Sequence, residues 1–116
     1  MLSITQDFGM ATGKVNTRHE ILTYLASERE RLRTVFHVRK VAVIGSFARE
    51  EQTAGSDVDL LLDLEEGTSD IAHIKKELRR ELEAQFGRPV ELASERYLKP
   101  YYREQIINEA VYAFQG

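Results

Sequence analysis

The 116-residue sequence has no cysteine and no tryptophan, and only two prolines. Without cysteine there is no disulfide framework, no thiolate zinc site and no cysteine nucleophile, a composition compatible with a reducing cytosol. No apolar run approaches the roughly 20 residues of a membrane span, and the N-terminus lacks the charged start and apolar core of a signal peptide, so a cytoplasmic protein is expected. Nor is there an excess of basic charge: 16 Lys and Arg stand against 19 Asp and Glu, a formal net charge of −3. A general nucleic-acid binder, broadly basic over its surface, is therefore not indicated. Apolar side chains are plentiful. Leu, Ile, Val and Phe number 12, 7, 8 and 5, well above the level of about 20% below which chains tend to stay disordered. At this length one domain is expected, with no room for a second.

Residues 1–16 mix Gly, Ser, Thr and isolated apolar residues without a sustained period and read as a loose leader, leaving 17–116 as a single domain. Thr17 followed by Glu20 forms a capping box, and Ile21, Leu22, Leu25, Leu32, Val35 and Phe36 predict a helix over about 18–36. The β-branched Val41, Val43 and Ile44 predict a strand over 38–45 that ends in a Gly45-Ser46 turn. A second strand is expected over 57–64. Ile71, Ile74, Leu78 and Leu82 then recur at helical spacing, stopped by Gly87 and Pro89. A third strand over 89–93 precedes a final helical region in which Arg103, Ile106, Ile107, Ala110, Val111 and Phe114 fall at helical spacing. This order implies an α/β (α+β) domain, a small mixed sheet with helices packed on one face and the other face partly open.

Between Glu50 and Glu66 the chain carries seven carboxylates and no Lys or Arg. Asp63, Glu65 and Glu66 read as a solvated acidic edge. Asp57 and Asp59 differ, because a two-residue step along a strand places both side chains on one face, about 6.6 Å apart along the backbone. Two ionised acids there repel unless one is protonated or a divalent cation neutralises both. Oxygen-only donors favour Mg²⁺ or Mn²⁺ over zinc. Gly45 and Ser46 open a turn whose backbone N–H groups and hydroxyl can cradle phosphate oxygens. Arg49, with its planar fork, can balance phosphate charge or pair with an acid.

With Gly45-Ser46, a ten-residue gap and Asp57-Val58-Asp59, the chain resembles the minimal nucleotidyltransferases (MNT) of the DNA polymerase β superfamily, whose signature is GSx10DxD. The resemblance runs through Gly45-Ser46-Phe47-Ala48-Arg49, Ser56-Asp57-Val58-Asp59-Leu60-Leu61 and Val90-Glu91-Leu92 into the tail Pro100 to Tyr112, covering residues 38–113. It implies a polymerase-β-like palm in which Asp57, Asp59 and Glu91, from two neighbouring strands, hold two Mg²⁺ ions around a nucleoside triphosphate, read as ATP. Gly45, Ser46 and Arg49 would bind the nucleotide. It further implies a hetero-oligomer with a HEPN-domain partner, an RNase toxin neutralised when its MNT antitoxin attaches AMP to a tyrosine. Two positions depart from the family pattern: Glu50 stands where the family commonly has glycine, and Glu91 where it usually has Asp. Both weigh against nucleotide binding and keep a second reading open, an MNT-fold antitoxin that masks the HEPN toxin by binding alone.

Overall fold

The computed structural model describes residues 14–116, so most of the expected leader lies outside the described residues. Helix α1 (Arg18–Ser27) begins with the expected capping box: the Thr17 hydroxyl accepts the Glu20 N–H at 3.1 Å, and Glu20 Oε1 accepts the Thr17 N–H at 3.0 Å. The helix does not run unbroken to residue 36. It is interrupted at Glu28, and α2 (Arg29–Phe36) continues beyond it. The Ser27 hydroxyl donates to the Tyr24 carbonyl at 2.7 Å, a local bond that competes with the helical ladder and bends it. Val35, expected on the apolar stripe, is 54% exposed.

Strand β1 (Val38–Ile44) passes directly into a one-turn helix, α3 (Gly45–Ala48). Then follow β2 (Val58–Leu64), α4 (Ile71–Phe86), β3 (Val90–Ser94), a 3-10 turn (Glu95–Tyr97), α5 (Pro100–Glu109) and β4 (Val111–Phe114). The last strand corrects the expectation of helix up to Phe114. Val111, Tyr112 and Phe114 pair antiparallel with Val43, Ala42 and Val41, and this pairing satisfies β1 backbone groups that would otherwise form an open sheet edge. The sheet order is β3-β2-β1-β4, antiparallel except for the parallel β2–β3 pair spanned by α4.

Alternation along the strands divides the apolar residues between two faces. Val41, Val43, Val58, Leu60 and Leu62 pack with Ile21, Leu25 and Leu32 of α1 and α2 and with Leu78, Leu82 and Phe86 of α4. Burying one such side chain is worth about 2 kcal/mol. Ala42, Ile44 and Leu61 face the opposite way and meet Ile106 and Ile107 of α5. The helices therefore do not all lie on one face: the second, expected to be partly open, carries the C-terminal helix.

Asp63 shares this second face and is not the solvated acid expected from the charge run. It is 5% exposed. Arg39 and Arg96 both donate to its carboxylate, Arg96 Nε at 3.0 Å. Burial alone would raise the Asp63 pKa, but the two arginine hydrogen bonds outweigh it and hold the carboxyl below its ordinary value. A depressed folded pKa stabilises the fold above the unfolded value, near pH 4, and this contribution is lost as pH falls through the folded value. Asp63→Ala is expected to cost about 2 kcal/mol at pH 7, less than for a fully enclosed ion pair because both arginines are partly solvated. Urea unfolding at pH 7 and pH 3 should show the difference from wild type shrinking on the acid side.

Candidate active site

Ile44, the last residue of β1, pairs with Asp59 of β2, so the turn that follows lies against that acid. Gly45 adopts φ +75°, and a Cβ built on it would stand 3.2 Å from both Cβ and Cγ of Asp59, and closer still to the carboxylate. Glycine alone meets both demands, left-handed backbone and close approach. On its other side Asp59 is in register with Glu91 across the parallel β2–β3 ladder, which directs both side chains to one face. Asp57 is exposed and precedes the first residue of β2.

Electrostatics link these groups. The Asp59 carboxyl is pushed above its ordinary pKa first by burial, then by the negative charges of Glu91, Asp57 and Glu109, with Arg49 opposing. The charges of Glu91 and Asp57, two of the acids read from the sequence, thus bear on the third, Asp59. A fourth, Glu109, comes from the end of α5. Its Oε2 accepts the Gly45 N–H at 2.9 Å and its Oε1 accepts from Arg49 Nη1 at 2.9 Å. Arg49 Nε donates to Glu51 Oε1 at 3.0 Å. Ser46 follows Gly45 in the first turn of α3 and is half-buried.

Glu50 ends this turn at φ +58°, the left-handed region that favours glycine. Its exposed side chain pairs with Arg18 Nη2 at 3.4 Å, while Arg18 Nη1 donates to the Ala48 carbonyl at 2.7 Å. Because an exposed ion pair contributes little, relieving the backbone should dominate. Glu50→Gly is expected to raise stability by about 0.5–1 kcal/mol in urea unfolding.

The stretch from Thr53 to Ser56 is tied down by a residue with no motif around it. Arg88, between α4 and β3, is 4% exposed. Its Nη1 donates to the carbonyls of Thr53, Ala54 and Ser56 at 3.1, 3.3 and 2.7 Å, and its Nε to the Val15 carbonyl at 2.7 Å. The guanidinium also lies 5.0 Å from the centre of the Phe47 ring. Neither Arg88 nor Glu109 is legible in the sequence as a site residue. The one signal for Glu109 is an acid in the last turn of a helix, against the helix dipole.

Among the described residues, no three Asp, Glu or His side chains are gathered closely enough to hold a metal ion as they stand. The donor chemistry still suits a hard divalent cation. Every candidate ligand is a carboxylate, and the charges crowding half-buried Asp59 are of the kind a cation relieves. Grooves of about 540 and 660 Å³ lie elsewhere, walled by residues such as Tyr24 and Phe86 or Phe36 and Ile74, and contain none of these acids. No described helix is long and apolar enough to cross a membrane.

Comparison with known proteins gives the same direction. The nucleotidyltransferase domain family matches residues 25–113. The protein adenylyltransferase MntA of Thermococcus cleftensis is 38% identical over 96 residues, covering 83% of this chain and 95% of that protein. A solved structure of a proposed minimal nucleotidyltransferase is similar with a TM-score of 0.68 at 34% identity, covering 85% of this chain and 98% of that one. A chain in the complex of a tri-AMPylated Shewanella oneidensis HEPN toxin with an MNT antitoxin is similar with a TM-score of 0.56 at 13% identity, covering 82% of this chain and 73% of that one. At that identity the likeness concerns the fold alone. With a family match over most of its length and a relative of nearly equal span, this chain belongs to the nucleotidyltransferase family of enzymes.

Proposed function

We propose that the chain transfers AMP from ATP to a hydroxyl of a partner protein, a tyrosine of a HEPN-type RNase toxin, and thereby acts as its antitoxin. The observation that carries this reading is the cross-strand placement of Asp59 beside Glu91 and against the Gly45 turn. Asp57, Asp59 and Glu91 would hold Mg²⁺, which when bound neutralises phosphate oxygens and supports the leaving group. The Gly45 and Ser46 backbone and Arg49 would orient the triphosphate, placing the α-phosphorus toward an acceptor outside the chain. The acceptor oxygen then bonds to the α-phosphorus, the bond from that phosphorus to the bridging oxygen breaks, and pyrophosphate leaves with the electron pair. The hydroxyl proton passes to a carboxylate or to water.

The names of similar proteins support the partner class: a protein adenylyltransferase on one side, and an AMPylated HEPN toxin held by an MNT antitoxin on the other. The test is incubation with the toxin, ATP and Mg²⁺. An AMP-sized mass gain on a toxin tyrosine, absent with Asp57→Ala, is expected. Full inhibition of the toxin by Asp57→Ala without any adduct would point instead to neutralisation by binding alone.

A further inference from the structure

Glu109 occupies an electrostatically adverse position. It is the last residue of α5, where the helix dipole disfavours an acid, and its charge bears on the same centre as Asp57 and Glu91. What offsets this is its pair of donors. One carboxylate oxygen takes the Gly45 N–H and the other an Arg49 N–H, both at 2.9 Å. These are two of the groups assigned above to the triphosphate. A carboxylate bridging a backbone amide and a guanidinium presents the same two-oxygen chemistry as a phosphate, and an N–H aimed at one cannot serve the other at full strength.

We propose that Glu109 is a built-in occupant of the phosphate-binding turn, which an incoming nucleoside triphosphate must displace from Gly45 and Arg49. This rests on the nucleotide-binding reading of that turn. The contact lowers nucleotide affinity and ties occupancy of the turn to the end of α5. Ala110, the next residue, leads directly into β4, so Glu109 stands at the junction between α5 and the sheet. The same helix carries Tyr101, 84% exposed and stacked on Tyr102.

The test compares Mg²⁺–ATP affinity by calorimetry for wild type, Glu109→Gln and Glu109→Asp, with thermal unfolding as the folding control. Gln keeps the shape and removes the charge. Asp keeps the charge but is one methylene short of both donors. Both variants are expected to bind about tenfold more tightly than wild type. Unchanged or weaker binding by folded Glu109→Gln would overturn the proposal and make Glu109 a support for Arg49. Tighter binding by Gln but not Asp would also overturn it, since charge repulsion rather than occupancy would then be at work. Arg49→Ala and Asp59→Asn separate this from the underlying reading: if neither weakens the affinity of the chain for Mg²⁺–ATP, the assignment of the turn fails, whatever Glu109 does.

Discussion

Asp59→Asn is expected to lower nucleotidyl transfer by about 1,000-fold or more, the scale of removing one electrostatic anchor from a phosphoryl-transfer site, while making the free protein more stable at pH 7. The two effects share one cause. Burial, Glu91, Asp57 and Glu109 together raise the Asp59 pKa, so the folded chain holds this proton more tightly than the unfolded chain. The group therefore favours folding below its unfolded pKa, and the advantage is lost as pH rises through the folded value. At pH 7 an ionised, half-buried Asp59 is a burden that asparagine removes without changing its shape against Gly45. The thermal midpoint should rise by a few degrees, corresponding to about 0.5–1 kcal/mol, and the difference from wild type should narrow near pH 4. Added Mg²⁺ and ATP should stabilise wild type and leave Asp59→Asn almost unmoved. A variant less stable than wild type at pH 7 would show that the carboxylate serves the fold and not a ligand.

Arg88→Ala is the second large effect, and it acts on the fold first. Three loop carbonyls, those of Thr53, Ala54 and Ser56, together with that of Val15, lose their donor. Thr53 and Ala54 are exposed and Val15 and Ser56 half-buried, so water replaces part of what their carbonyls lose, and the volume vacated by the buried Arg88 side chain adds to the cost. A loss of about 3 kcal/mol or more is expected, read as a fall of roughly 15 °C in thermal midpoint. Because Ser56 precedes Asp57, the backbone that leads into that candidate acid loosens as well. Arg88→Lys keeps the charge but not the fork. It should recover part of the stability while transfer stays reduced below the unfolding temperature, a residual defect that a purely structural role would not leave.

The sequence made these elements legible where one local cause dominates. The Thr17–Glu20 box closes as its spacing requires, and Val41, Val43 and Ile44 form the strand that their branching favours. Gly45 and Asp59 meet because an antiparallel pair returns the chain to the end of β1. Long-range partners decided the rest. Asp63 reads as a surface acid until Arg39 and Arg96, 24 and 33 residues away, close over it. Val111 to Phe114 suits either a helix face or a strand, and the unpaired edge of β1 selects the strand. Glu50 is a departure from glycine by composition, but its cost lies in φ +58°, which no sequence pattern displays. Arg88 offers only a charge between Gly87 and Pro89, and its partners are carbonyls with no signature of their own.

The most direct test is a crystal structure of the chain with Mg²⁺ and a non-hydrolysable ATP analogue. The expected result is metal density bridging Asp57, Asp59 and Glu91, with the triphosphate against Gly45 and Ser46. A nucleotide seated elsewhere, or bound with Glu91 turned away from the two aspartates and no metal between them, would contradict it.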